Sequence, residues 1–348
     1  MNKTISVLAL LLLALVFLVL PKPVQEKGFE TQVVLESLDT VWSIDFLPDD
    51  TMIFTERPGR VNLYDMREKK IIATIQIKET AESGLHGVAV DPEHSENRHI
   101  YLYYGYDDNR GVTNRVSRYT LNNNELLDET ILVDGIPGAQ IHDGGRLKFG
   151  PDGKLYVTTG DAGIPDLAQD TNSVAGKVLR MNKDGSVPED NPFGNLVWSY
   201  GHRNPQGIAF HPTTGILFES EHGPSMHDEV NIIQPGRNYG WPTTCGNELP
   251  GHEKPIACYP DFTIAPGSIA IFDKFIFIPG LRGNQLRKLA LADDYKTVIS
   301  EEALFTDIGR VREATVHDGY LYIGTSNRDG RGLPQLNDDK IIRIRIID

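Results

Sequence analysis

The chain has 348 residues, a formal net charge of −14, 33 Gly and 21 Pro, but only 2 Cys. That length buries a sizeable core as one or two domains, and 24% charged with 40% apolar residues excludes disorder and collagen-like repeats. The acidic balance speaks against nucleic acid as a partner, because neutralising phosphates requires clustered Lys and Arg.

At the N-terminus, Lys3 is followed by an unbroken apolar run from Val7 to Leu20 that ends at Pro21-Lys22-Pro23. The run is short for a spanning helix and suits a secretory apolar region, although no A-x-A-like cleavage site follows it and no Cys offers lipid attachment. Residues 1–28 are read as an export signal or N-terminal membrane anchor. Residues 29–348 then form one domain that works outside the cytoplasm, in the periplasm, at the cell surface or secreted.

From about Phe29 onward no amphipathic helix of several turns is apparent, and short β-rich runs alternate with turn residues. One phrase recurs: an apolar residue, a turn built on Pro, Asp or Gly, and a second β-rich run. It appears at Phe46-Leu-Pro-Asp-Asp50, Val90-Asp-Pro92, Phe149-Gly-Pro-Asp-Gly153, Phe210-His-Pro212, Ile271-Phe-Asp-Lys274 and Val316-His-Asp-Gly319. Copies spaced by roughly 45 to 60 residues match the blade period of a β-propeller, so the expected fold is all-β, a six-bladed β-propeller of four-stranded antiparallel sheets. Function in such a fold concentrates at one end of the central channel.

Four clusters carry chemistry. His142 precedes the pair Gly144-Gly145, which lets the backbone approach something closely, and Asp161 follows the strand at 155–159. A carboxylate beside an imidazole fixes its tautomer and raises its basicity; a loop His satisfied by backbone contacts is the alternative. Arg203 and Asn204, beside Pro205, suit an oxyanion or carboxylate, or else a loop salt bridge. The stretch Glu219 to Asn231, with Asn238-Tyr-Gly-Trp-Pro242, offers acidic side chains and Gly-Pro carbonyls of the hard-oxygen kind that Ca²⁺ prefers. Shortly after, Cys245 and Cys258 are expected to close a short loop as a disulfide in an oxidising compartment. Late in the chain come Arg282, then Arg310 and Arg312, then Arg328 and Arg331. At i and i+2 on a strand, Arg310 and Arg312 face one side and could clamp an anion, or they are simply solvated.

Taken in order, Thr55-Glu-Arg-Pro-Gly-Arg60, Gly144-Gly-Arg-Leu147, Gly201-His-Arg-Asn-Pro-Gln-Gly207, Glu221-His-Gly-Pro224, Asp228-Glu-Val-Asn231 and Asn238-Tyr-Gly-Trp-Pro242 resemble the soluble quinoprotein sugar dehydrogenases, the glucose/sorbosone dehydrogenase family. The resemblance runs from about Val41 to Ile344. It implies a six-bladed propeller that uses pyrroloquinoline quinone (PQQ) and Ca²⁺. By the same resemblance His142 is the general base, Asp161 orients it, and Arg203 and Asn204 contact the quinone oxygens. The carbonyls of Gly223 and Pro224 hold the cofactor's calcium, Glu229 and the Tyr239 carbonyl hold a further one, and Arg282, Arg310 and Arg312 bind the cofactor's carboxylates. Glu82 departs from the family pattern, which carries Gln there; a carboxylate repels an anionic cofactor unless it is protonated or paired. Arg282 stands where glucose-oxidising members have Lys.

The activity so implied is oxidation of the anomeric hydroxyl of an aldose sugar to a lactone by hydride transfer to PQQ, with electrons passed to an acceptor such as a quinone, cytochrome or dye. Two other readings stay open: a calcium-dependent lactonase-like hydrolase, and a non-catalytic propeller that binds a glycan or protein.

Overall fold

The structure, a computed structural model, describes residues 28–109, 111–243 and 249–346. Its strands form six four-stranded antiparallel sheets. After β1 (Phe29–Leu35), the first sheet comprises β2 (Val41–Phe46), β3 (Met52–Glu56), β4 (Arg60–Tyr64) and β5 (Lys69–Thr74), and the second β6 (Leu85–Val90), β7 (His99–Asp107), β8 (Val112–Asn122) and β9 (Glu125–Pro137). The third comprises β10 (Leu147–Phe149), β11 (Leu155–Thr159), β12 (Lys177–Met181) and β13 (Val197–Tyr200); the fourth β14 (Pro205–Phe210), β15 (Leu217–Glu221), β16 (Asp228–Ile232) and β17 (Ala257–Tyr259). In the fifth are β18 (Ala270–Phe272), β19 (Phe275–Gly280), β20 (Gln285–Leu291) and β21 (Val298–Leu304), and in the sixth β22 (Val311–His317), β23 (Tyr320–Thr325) and β24 (Ile341–Ile346). β1 completes the sixth sheet by pairing antiparallel with β24, from Phe29↔Ile346 to Leu35↔Ile341, so the two ends of the domain close the ring.

Each sheet is a propeller blade, and the expected fold is the observed one. The six recurring phrases are the connections between the first and second strands of the six blades. In the third, the Gly153 N–H donates to the Gly150 carbonyl at 3.0 Å and the Gly150 N–H to the Lys154 carbonyl at 2.9 Å. Gly153 takes a left-handed φ of 71° there, a conformation that glycine adopts without Cβ strain. A blade buries both faces, so its central strands are buried throughout rather than alternating. All five residues of β3, β11 and β15 are buried.

The core is correspondingly divided among the blade interfaces. One apolar cluster joins Ile53 and Leu63 of the first blade to Leu85 and Leu102 of the second, and equivalents fill the five remaining interfaces round to Tyr322 and Ile341 against Val41 and Phe54. The first strands of all six blades line a central cavity of about 230 Å³. Across its axis Arg146 of the third blade meets Glu313 of the sixth, Nη1 to Oε2 at 2.6 Å, and also donates to the carbonyls of Trp42 and Gln206. Four blades are thereby tied to one guanidinium, which also lies over the Trp42 ring at 4.2 Å.

Apart from Gly28, the expected export signal or anchor at 1–28 lies outside the described residues, as does Cys245 and with it the expected disulfide to the half-buried Cys258. Among the described residues no helix is long and apolar enough to cross a membrane.

Candidate active site

The loops that enter each blade, and those joining its second and third strands, gather at the opposite end of the channel from the six recurring turns. There they surround a cavity of about 460 Å³ whose lining includes Glu82, His142, Arg203, Arg282, Arg310 and Arg331.

His142 sits in the β9–β10 loop with a left-handed φ of 62°. Such a backbone persists in a non-glycine residue only where its surroundings over-determine it. Here the His142 N–H donates to Glu82 Oε2 at 2.9 Å and its carbonyl accepts the Ala162 N–H at 3.2 Å. Gly160 must be glycine, since a Cβ there would land on the His142 carbonyl, and a Cβ on Gly144 would meet the Thr159 Cα and Gly160 N at 2.7 Å. What Gly144 approaches is therefore the adjacent β11 backbone.

Asp161, fully buried beyond the end of β11, accepts from His142 Nδ1 at 2.7 Å and from the Gly163 N–H at 2.8 Å on Oδ1, and from the Trp241 indole at 2.8 Å on Oδ2. Burial alone would raise its carboxyl pKa, but the His142 ring and these donors hold it below the usual carboxylate value. An ionised carboxylate only accepts, so Nδ1 of His142 carries the proton, and in the neutral imidazole Nε2 is the nitrogen left with a lone pair. The imidazole that lines the cavity thus has its tautomer fixed by a buried carboxylate.

Glu82 comes from the β5–β6 connection. Its Oε2 accepts from the His142 N–H and, at 3.4 Å, from Asn204 Nδ2, while Oε1 meets Arg331 at 3.1 Å. Burial acts to raise its pKa, yet His222, the His142 amide and Arg331 together hold it below the ordinary value. The carboxylate that stood out as a departure is ionised and paired.

Arg203 reaches the cavity from the β13–β14 connection. Its Nη1 donates to the carbonyls of His222 at 3.2 Å and Gly223 at 2.8 Å, and its Nε is buried with no partner among the described residues. Asn204 lies behind the cavity wall, with Oδ1 accepting the Gly144 N–H at 3.1 Å. It links the His142 loop to Glu82 and is not itself part of the lining.

The late arginines divide. Arg282 faces the cavity with no carboxylate partner among the described residues, and Arg310 lines it while its Nε and Nη2 grip Asp329 Oδ2 at 2.9 and 2.6 Å. Arg312 does not line it. It is buried at 5% exposure, bonded to Gln206 Oε1 and Ser326 Oγ, and 3.7 Å from the same Asp329 oxygen. Burial, with Arg57 and Arg310 nearby and Asp329 opposing, brings its guanidinium down to about 9. The expected free pair is thus corrected to two arginines that share one buried carboxylate, of which Arg310 alone reaches the cavity.

Of the expected calcium positions, Gly223 and Pro224 lie in the β15–β16 turn at the cavity edge. Glu229 and Tyr239 belong to a separate buried nest. Glu219 and Glu221 on β15 stand across from Asn231 and Glu229 on β16. Asn231 Nδ2 donates to all three carboxylates at 3.1 to 3.4 Å, and His202 bonds to Glu221 and stacks on Tyr239 at 4.6 Å. Ligand atoms of His202, Glu219 and Glu221 lie within 4.8 Å of one another. Burial, with Glu221 and Glu229 adjoining, pushes the Glu219 carboxyl well above its ordinary pKa. Sequence reasoning marked the acidic stretch from Glu219 for Ca²⁺ and Arg331 among the late cations but gave Glu219, Glu221 and Arg331 no individual role, and gave Trp241 none; alternation of Glu219-x-Glu221 against Glu229-x-Asn231 was the further signal for the nest.

The loop end of the six-bladed propeller gathers an imidazole bonded to a buried carboxylate and several arginines, an arrangement suited to proton transfer beside an anionic ligand. The sequence matches the Glucose / Sorbosone dehydrogenase family over residues 38–341, and the chain belongs to that family. It is similar to the aldose sugar dehydrogenase YliI of Escherichia coli, 30% identical with 86% of this chain and 90% of the relative covered. It is also similar to quinoprotein glucose dehydrogenase B of Acinetobacter calcoaceticus, 34% identical over 64% of this chain and 54% of the relative. Among solved structures, a putative oxidoreductase (glucose dehydrogenase) of Thermus thermophilus superposes with TM-score 0.88 at 40% identity, covering 91% of this chain and all of that one. The PQQ-bound aldose sugar dehydrogenase of Streptomyces coelicolor gives 0.86 at 32% identity, covering 93% and 99%. The chain is accordingly an oxidoreductase of the sugar dehydrogenase type.

Proposed function

We propose that the protein oxidises the anomeric hydroxyl of aldose sugars to lactones with PQQ and Ca²⁺, outside the cytoplasm. The observation that carries this reading is the His142–Asp161 pair, whose imidazole lines a cavity ringed by Arg203, Arg282, Arg310 and Arg331.

The residues fit the cofactor. A tricarboxylate needs fixed cations, and two arginines supply them: Arg203, with a buried unpartnered Nε, and Arg282, which meets no carboxylate among the described residues. Arg310 and Arg331, each opposed by an acid, complete the ring. The Gly223 carbonyl accepts from Arg203 and keeps a second lone pair for a cation, beside that of Pro224. A second cation suits the Glu219–Glu221–Glu229 nest, where Glu219 Oε1 is buried without a hydrogen-bond partner among the described residues.

When bound at these residues, PQQ would supply a hydride acceptor and Ca²⁺ a Lewis acid beside it. His142 Nε2 takes the proton of the sugar hydroxyl. Asp161 holds Nδ1–H and offsets the positive charge that the imidazole gains. Arg203 stands ready for negative charge that develops in the cavity, and Glu82 fixes the backbone from which His142 projects.

The test adds PQQ and Ca²⁺ to apo-protein, then an aldose and a dye acceptor. Quinone absorbance should saturate and dye reduction follow, and His142→Ala should lower turnover about 10²–10⁴-fold while it retains PQQ binding. No PQQ binding at micromolar concentration, or undiminished turnover in His142→Ala, refutes the reading.

A further inference from the structure

One side chain touches both halves of the site. The Trp241 indole donates to Asp161 Oδ2 at 2.8 Å, and the Arg203 guanidinium carbon lies 5.3 Å from the centre of its ring. The backbone that carries this ring is itself pinned. The Trp241 N–H donates to the Gly201 carbonyl at 2.9 Å, and its carbonyl accepts from Gln169 Nε2, which is paired in turn with Asn238 through both amide groups.

The carboxylate explains why this matters. Asp161 Oδ1 serves His142 and Gly163, whereas Oδ2 is held by the indole. A terminal carboxylate torsion is broad and nearly two-fold, so a carboxylate pinned at one oxygen can rock out of the imidazole plane. Pinned at both, it keeps Nδ1–H aligned and Nε2 aimed. The ring face meanwhile attracts Arg203 electrostatically and limits where its fork can point.

We propose that Trp241 is the positioning residue that holds Asp161 and Arg203 in register, so that removal of the hydroxyl proton at His142 and stabilisation at Arg203 of the charge leaving with the hydride serve one oxidation. This rests on the dehydrogenase reading of the site. Trp241 acts through its two neighbours.

Trp241→Phe keeps the ring and deletes the N–H; Trp241→Leu deletes both. In apo-protein with ¹⁵N-labelled histidine, solvent exchange of the His142 Nδ1 proton should be faster in Trp241→Phe by about tenfold or more. In the loaded enzyme Trp241→Phe should lower kcat by roughly tenfold with KM for the sugar and PQQ affinity unchanged, whereas Trp241→Leu should also weaken PQQ binding. Independently, Asp161→Asn in the native background should shift the Trp241 indole N–H resonance. Unchanged exchange with unchanged kcat in Trp241→Phe, or an unmoved indole resonance in Asp161→Asn, overturns the proposal. Failure of the native protein to bind PQQ or oxidise an aldose defeats the functional reading alone, because the exchange measurement needs neither.

Discussion

The backbone N–H of His142 donates to Glu82 Oε2 at 2.9 Å, joining loops that lie 60 residues apart. The same carboxylate pairs with Arg331 and reaches Asn204. Glu82 therefore fixes the backbone of His142 and at the same time places a negative charge at the cavity where the proposed anionic cofactor would sit.

Glu82→Gln separates these roles, because an amide oxygen still accepts from His142 while the charge is lost. PQQ should then bind about five- to tenfold tighter, roughly 1 kcal/mol for one partly buried charge, with turnover retained. Glu82→Ala should instead release the His142 loop and lower kcat. Titration of quinone absorbance and steady-state rates on both variants check this.

Asp143 is a second buried acid beside the base. Burial pushes its carboxyl up to about 7, against the Asn114 amide and Ala139 N–H that favour the anion, with the Glu82 charge adding to the rise. Between about pH 4 and 7 the folded protein thus binds a proton that the unfolded chain has released, so stability falls as pH rises through that window. Asp143→Asn should flatten the fall by roughly 2–4 kcal/mol. Urea midpoints at pH 5 and pH 8 for the two proteins measure it.

The axial pair makes a stability prediction. Arg146→Met leaves Glu313 buried without its cation, and burial already raises the Glu313 carboxyl to about 7. Loss of about 3–5 kcal/mol is expected, and Arg146→Met with Glu313→Met should regain more than half of it, since removing both charges ends the desolvation cost. Urea unfolding of the single and double variants decides.

For the buried acidic nest, a bound divalent cation should raise the unfolding midpoint of apo-protein, by about 2.7 kcal/mol at a hundred times Kd. A chelator should reverse the gain. Glu219→Gln should remove the nest's share of the response to Ca²⁺ without preventing PQQ binding.

Much of the fold was legible because a blade repeats. Turns such as Gly150-Pro-Asp-Gly153 recur with β-rich runs behind them, and local chemistry suffices to mark each hairpin. The acid–base pair was half legible. His142 and Asp161 flank one strand pair and are close in sequence, yet Trp241, 80 residues beyond Asp161, gave no local sign of the bond it makes. Arg310 and Arg312 show the opposite error: strand spacing suggested a pair facing one anion, but Arg310 lies just ahead of β22 and alone lines the cavity, and Asp329, folded back from the β23–β24 loop, shares them.

Taken alone, the sequence determined the repeat, the blade number, the negative net charge that makes convergent arginines conspicuous, and the residue types able to do the chemistry. Each of these rests on contacts between near neighbours in the chain. Tertiary structure decided which of those residues face the cavity, that Glu82 is ionised and paired, and that Arg312 and Asn204 support the wall. Those outcomes depend on burial and on partners brought from other blades, and the closing of the ring alone sets both.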